Sequence, residues 1–116
     1  MLWEIIYYIS PSGRPIVQDF IDALPKPTRA KVFRQLDLLE LKGSDLGMPH
    51  SKAIDDGLVE LRVRSGRGTN EVRVFYIFAK GNRIYLLHGF IKKTQATPAK
   101  EIKIARQRKQ EIEENI

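Results

Sequence analysis

The feature that most constrains this chain is an apolar run at residues 84–91, which reads Ile-Tyr-Leu-Leu-His-Gly-Phe-Ile. A short, continuous apolar run rich in β-forming residues is typical of a strand buried on both faces. Lys92 and Lys93 follow it directly, and Thr97-Pro98 then marks the start of a helix. The sequence therefore predicts a central strand that delivers two cations to the rim of a sheet. The alternative is that these lysines only mark where the strand meets water.

The patterns on either side of this strand predict an α+β domain with one strand, two helices, three antiparallel strands and a final helix. The strands are predicted at residues 2–9, 58–64, 72–78 and 84–91. Helices are predicted between Pro15 and Pro25, from Pro27 to Gly43 and from Pro98 to about Glu114. Residues 44–56 lack periodicity and are predicted to form a connecting loop. We expect the helices to cover one face of the sheet.

Length and composition predict a single domain spanning residues 1–116. The absence of cysteine excludes disulfides, zinc–thiolate sites and cysteine nucleophiles, and it fits a cytoplasmic location. With two histidines and no acidic cluster of ligand spacing, no metal and no other cofactor are expected. No apolar run approaches the roughly 20 residues that span a bilayer, and the N-terminus lacks a signal-peptide pattern, so we expect no membrane association.

Positive charge is concentrated in the second half of the chain. Residues 57–110 contain 13 lysines and arginines but three carboxylates, whereas residues 1–56 contain seven such cations and eight carboxylates. This asymmetry indicates a face for a polyanion, and nucleic acid is the commonest such partner. The alternative is a basic domain whose charge only maintains solubility.

Arg73 is the most informative single residue, because it interrupts the otherwise apolar strand at residues 72–78. A guanidinium in such surroundings needs an anionic partner. One possibility is a structural ion pair across strands with Glu60 or Glu71. The other is the phosphate of a bound nucleic acid.

The cations expected near Arg73 favour the phosphate. Strand alternation places Arg62 and Arg64 on the face opposite the core, and Lys92 and Lys93 approach the same face with few carboxylates nearby. The candidate catalytic residues are Arg73, Lys92, Lys93 and His88. The candidate nucleic-acid-binding residues are Arg62, Arg64, Arg67 and Lys103.

His88 is included because histidine is the side chain that titrates near neutral pH without help. A histidine within an apolar strand is more often a core residue with one satisfied hydrogen bond, so both interpretations stay open. His50, beside Pro49 in the predicted loop, is a weaker candidate of the same kind.

Four ordered motifs resemble the phage-derived branch of the RelE/HigB toxin family. They are GLVELR at residues 57–62, VRVFY at 72–76, LLHGFIKKT at 86–94, and Thr97-Pro98 followed by Glu101-Ile102 and Ala105. The resemblance covers nearly the whole chain and implies a RelE-like fold. It also implies a ribosome-dependent mRNA endonuclease and a helix-turn-helix (HigA-like) antitoxin encoded alongside. DNA would be contacted only indirectly, through that antitoxin.

The chemistry implied by the resemblance needs no metal, since the 2′-hydroxyl of the RNA attacks the adjacent phosphate. The protein supplies proton transfer and positive charge for the developing phosphorane. By this resemblance Arg73 is the transition-state stabiliser, and Lys92 or Lys93 matches the basic residues after the last strand. Leu58 and Glu60 stand where lysines alternate in the best-known RelE pattern, and no tyrosine follows Lys93 before the last helix.

Two other functions fit the same residues. The chain could be a non-catalytic nucleic-acid-binding module, whose binding would depend steeply on salt without strand cleavage. It could also be an interaction domain whose basic face meets an acidic protein.

Overall fold

The computed structural model describes residues 2–64, 71–93 and 96–115. It contains five strands, three α-helices and a 3₁₀ turn at Gly43–Asp45. The strands are β1 (Glu4–Tyr7), β2 (Ser51–Asp55), β3 (Leu58–Arg64), β4 (Glu71–Ala79) and β5 (Arg83–Lys92). The helices are α1 (Ile16–Asp22), α2 (Lys26–Lys42) and α3 (Ala99–Asn115). The predicted α+β class and element order are confirmed, except that β2 was absent from the prediction.

The strands form one mixed sheet in the order β1-β5-β4-β3-β2. β1 pairs in parallel with β5, and every other pair is antiparallel. β5 therefore has a neighbour on each side, as its apolar sequence predicts. Ile84, Tyr85, Leu86 and Leu87 are all buried within it.

The helices cover both faces of the sheet, which corrects the prediction of a single covered face. α1 and α2 pack through Val17, Ile21, Val32, Leu36 and Leu39 against one face. α3 packs through Ala105 against Phe75, Ile77, Tyr85 and Leu87 on the other. The physical reason is that β4 is apolar on both sides. Each large apolar side chain that is fully buried contributes about 1.5–3 kcal/mol, so neither side stays exposed.

The second half of the predicted loop at residues 44–56 is the edge strand β2. It pairs with β3 from Ser51↔Leu61 to Asp55↔Leu58, with an irregularity between Ala53 and Asp55. Its buried and exposed residues do not alternate, so periodicity could not reveal it. The signal was the turn between the strands, where Asp56 and Gly57 both have positive φ angles. Asp-Gly flanked by strands is a strong hairpin signal.

Among the described residues, no helix is long and apolar enough to cross a membrane.

Helix α2 ends just before Gly43, which packs against the N-terminal segment. This glycine has φ +53° and ψ −122°, and its backbone N–H donates to the carbonyl oxygen of Leu39. The indole of Trp3 lies directly against it, since a Cβ atom at Gly43 would be 2.0 Å from Trp3 Nε1. The backbone N–H of Trp3 donates to the carbonyl oxygen of Glu40 at 2.9 Å. Glycine is therefore favoured at position 43 for two reasons: the backbone has a positive φ, and the indole of Trp3 leaves no room for a side chain.

We expect Gly43→Ala to be more destabilising than Gly13→Ala. Gly13 also has a positive φ (+87°), but nothing lies within 4 Å of a Cβ atom there. Both variants place a Cβ atom at a positive φ, which strains the backbone by about 1–3 kcal/mol. Only Gly43→Ala adds the overpacking against Trp3, about 1–3 kcal/mol. Urea unfolding of both variants measures the difference in the free energy of unfolding. Equal losses would show that the indole moves aside without cost.

Candidate nucleic-acid interface

Strands β3, β4 and β5 place nine side chains in three cross-strand rows on the face that α3 packs against. The rows are Glu60–Phe75–His88, Arg62–Arg73–Phe90 and Arg64–Glu71–Lys92. Directly opposite residues of antiparallel strands have Cβ atoms about 4.5–5.5 Å apart. The structure thus brings together five of the predicted site residues. Lys93 follows at the end of β5 and is exposed.

Arg73 is buried and faces two carboxylates. Its Nε lies 3.4 Å from Glu60 Oε1, and its Nη2 forms an ion pair with Glu71 Oε2. The geometry at Nε is not that of a hydrogen bond, so this buried N–H has no hydrogen-bond partner among the described residues. The structural ion pair considered as the alternative is therefore present, with both carboxylates that the sequence suggested.

The carboxylates around Arg73 do not neutralise the cations. Glu60 Oε1 also accepts from Arg62 Nε at 3.3 Å, and Glu71 Oε1 lies 3.8 Å from Arg64 Nε. Three arginines therefore share two carboxylates and leave one net positive charge, before Lys92 is counted. Lys92 is itself 9% exposed, and it stands directly opposite Glu71 in the sheet.

A cleft of about 710 Å³ opens beside Arg73 at the edge of the sheet. β2 pairs with β3 only as far as Leu61, so the last residues of β3 reach this cleft. Its cationic lining comes from three elements: Lys31 and Arg34 of α2, Arg62 and Arg64 of β3, and Arg73 of β4. The other lining residues are Gln35, Met48, Pro49, His50, Val63 and Glu71. A groove with five basic residues and one carboxylate is suited to phosphate groups.

Sequence reasoning missed the α2 wall of this cleft. Lys31 and Arg34 belong to the polar face of an amphipathic helix, and such a face is usually only solvated. Their spacing places them on the same side of α2, but it does not show which element that side meets. Gln35 also lines the cleft, and its Nε2 lies 3.2 Å from Nδ1 of His50. His50 is therefore the imidazole that the structure places in the cleft.

His88 does not line the cleft, and both of its ring nitrogens are engaged. Arg108 Nη1 lies 3.3 Å from Nδ1, and Glu101 Oε1 lies 3.2 Å from Nε2. Because a guanidinium can only donate, Nδ1 accepts and Nε2 carries the proton. Burial lowers the pKa of His88, and the adjacent Glu101 partly opposes this shift. These contacts describe a partly buried histidine whose hydrogen-bonding groups are satisfied. Its catalytic role stays a prediction.

Much of the basic face of α3 holds the helix on the protein. Arg106 forms an ion pair with Asp55, and Lys109 lies 3.8 Å from Asp56. Arg108 donates to the carbonyl oxygen of Leu87 at 2.9 Å, and its guanidinium lies over the ring of Tyr8. Lys103 is exposed and lies outside the cleft lining. Arg67, the remaining predicted RNA contact, lies outside the described residues.

Within residues 2–64, 71–93 and 96–115, no group of three or more histidine, aspartate and glutamate side chains is placed to hold a metal ion.

The fold and this cleft define a small basic α+β protein with a cation-lined groove at its sheet edge. Residues 19–110 match the family described as Phage derived protein Gp49-like (DUF891), and the chain belongs to this family. The family is related to toxins of the RelE/HigB type, and at this level the resemblance seen in the sequence is confirmed. A search of curated proteins finds no match to the chain.

We expect the contacts of His88 to make the stability of the protein depend on pH. Burial lowers the folded-state pKa of His88 below its ordinary value of 6.5, so the unfolded chain binds the proton more readily. Stability from this group is present above about pH 6.5 and is lost as pH falls through the folded-state pKa. His88→Gln lacks this titration. The free energy of unfolding should therefore fall less between about pH 7.5 and pH 5.5 in the variant than in the wild type.

Urea unfolding of both proteins at the two pH values measures this difference. Parallel pH dependences would show that other groups account for the loss at low pH.

Proposed function

We propose that this protein is the toxin of a type II toxin–antitoxin system and cleaves messenger RNA on the ribosome. The observation that carries the proposal is the cleft, whose lining contains five basic side chains from α2, β3 and β4 but only one carboxylate. Membership of a family related to RelE/HigB-type toxins supports the same activity. The finer assignment, to the phage-derived HigB-like branch, belongs to this proposal.

The proposed reaction needs proton transfer and a cation at the phosphorane, both of which the cleft residues offer. The 2′-oxygen of the RNA attacks the neighbouring phosphorus, and the bond to the 5′-oxygen of the next nucleotide breaks. A base removes the 2′-hydroxyl proton, and an acid protonates the leaving oxygen. Arg73 supplies the fixed positive charge that stabilises the transition state. His50 is the cleft residue whose imidazole is suited to one of the proton transfers.

Two partners follow from this proposal. The ribosome presents the messenger to the cleft, and a helix-turn-helix antitoxin keeps the toxin from the ribosome. An antitoxin that serves this role would restore growth when it is produced together with the toxin. Failure of a neighbouring helix-turn-helix protein to do so would count against this assignment.

Arg73→Lys tests the role of the buried arginine in catalysis. Lysine keeps the positive charge but loses the planar fork that contacts two carboxylates and a phosphate at once. We expect single-turnover cleavage of ribosome-bound messenger to fall by about 100-fold per folded molecule, the scale of losing one preorganised stabiliser. Ribosome binding should change far less, since the other cations share the backbone contacts.

Arg83→Lys is the matched control. Arg83 is the first residue of β5, at the other end of that strand from Phe90, which pairs with Arg73. Its half-exposed side chain lies 3.5 Å from Glu4. It should retain wild-type cleavage. If Arg73→Lys is less stable but fully active per folded molecule, Arg73 has only a structural role. If the wild type binds ribosomes and cleaves no message, the protein is a non-catalytic binding module.

Arg34→Ala tests whether the α2 wall of the cleft contacts RNA. We expect weaker binding to ribosome–messenger complexes and an unchanged cleavage rate at saturation. The slope of log affinity against log salt should become shallower by about 0.7, the contribution of one phosphate of a single strand. Lys26→Ala removes an exposed cation of the same helix that lies outside the cleft lining. Equal effects of the two variants would show that the cleft is not the RNA site.

A further inference from the structure

We propose that Glu60 is a positioning residue, which holds Arg62 and Arg73 side by side as a clamp for an anion. The inference rests on the proposed function, because it names the group that prepares the same cleft for a phosphate. It assigns Glu60 no proton transfer and no contact with RNA.

The clamp brings together two like charges. Arg62 and Arg73 stand directly opposite each other on β3 and β4, and like charges in such positions destabilise a sheet. Glu60 Oε1 lies 3.3 Å from Nε of Arg62 and 3.4 Å from Nε of Arg73. One carboxylate oxygen therefore attracts both guanidinium groups, and this attraction offsets their mutual repulsion.

The carboxylate between the two arginines is shielded from solvent. Glu60 is fully buried, with 0% of its surface exposed. Its second oxygen, Oε2, accepts a hydrogen bond from the hydroxyl of Thr97 at 3.0 Å. Both oxygens are thus engaged, and the carboxylate is not presented to a substrate. Such a buried carboxylate can affect the cleft only through the arginines that it contacts. Removing one partner of a buried ion pair is strongly destabilising, so these contacts should persist.

Two carboxylates also orient the guanidinium of Arg73. Glu60 faces Arg73 at Nε, and Glu71 pairs with its Nη2. Carboxylates beside two separate nitrogens restrain the rotation of this planar guanidinium. Through Thr97, the position of Glu60 is also tied to the segment that leads into α3, which begins at Ala99. The position of the Glu60 carboxylate is therefore set both by strand β3 and by Thr97 in the segment before α3.

The experiment is a comparison of Glu60→Gln with the wild type in ribosome-dependent cleavage. Glutamine keeps the shape and an acceptor for Thr97 but removes the charge that both arginines share. We expect the cleavage rate at saturation to fall by about 100-fold, the scale for a catalytic group misplaced by about 1 Å. The ribosome concentration for half-maximal rate should stay the same or fall, since the cleft gains one net positive charge.

Glu4→Gln is the matched control, because it makes the same chemical change and the same change in net charge at the exposed ion pair with Arg83. This variant should change neither the cleavage rate at saturation nor the ribosome concentration for half-maximal rate. Thr97→Val removes the hydrogen bond to Oε2 and should lower the rate less than Glu60→Gln does, and Thr97→Ser should restore it. If Glu60→Gln does not fold, the cleavage rate of Thr97→Val tests whether the position of Glu60 matters for catalysis.

The proposal is overturned if Glu60→Gln cleaves at the wild-type rate per folded molecule, or if it only weakens binding. A wild-type rate in Thr97→Val would overturn it when Glu60→Gln cannot be produced. Absence of cleavage by the wild type is a separate result, which would contradict the proposed function and the inference with it.

Discussion

The pairing of β4 with β3 and β5 is the constraint on which both the core and the cleft depend. Along β4, Val72, Val74 and Tyr76 point to α1 and α2, whereas Arg73 and Phe75 point to the opposite face. A shift of one residue in this register would exchange the two sets. It would bury the guanidinium among aliphatic side chains and expose the apolar residues that hold the helices. The same hydrogen-bonded ladder thus determines where the charge lies and which core forms around it.

Burying the charged side chains on this face of the sheet carries a large desolvation penalty. Removing a carboxylate and a guanidinium from water costs several kcal/mol per ion, and mutual attraction repays this only when the geometry is good. Glu60 and Arg73 are nevertheless both buried, with 0% and 4% exposure. Well-packed apolar residues of similar size would serve stability equally well. A buried carboxylate paired with an arginine that lines a cationic cleft is therefore better explained by a use of its charge than by a contribution to folding.

Sequence reasoning predicted those parts of the fold that local pattern determines. The alternation in β3, the apolar run of β5 and the proline that precedes α3 all located their elements closely, because each signal lies within the element itself. The edge strand β2 was missed because its pairing with β3, not its own periodicity, makes it a strand.

The same distinction applies to the site. Arg73 and its two possible carboxylate partners were identified from strand alternation, which relates neighbours in a sheet. Lys31, Arg34 and His50 were not assigned to the site, because their proximity to Arg73 depends on how α2 and the segment before β2 pack against the sheet. The side on which α3 packs was mispredicted for a related reason. Alternation shows that a strand has two apolar sides, but not which helix covers each side.

The parallel pairing of β1 with β5 has a consequence for how the chain reaches this state. Glu4 is paired with Arg83, so β1 has no partner in the sheet until the distant strand β5 has been synthesised. Contacts between residues so distant in sequence require a large loop to close first, which slows folding relative to proteins built from local contacts. Completion of the sheet therefore waits for β5, which follows the other four strands along the chain. β1 precedes the other described strands in the chain, yet it is among the last to be incorporated.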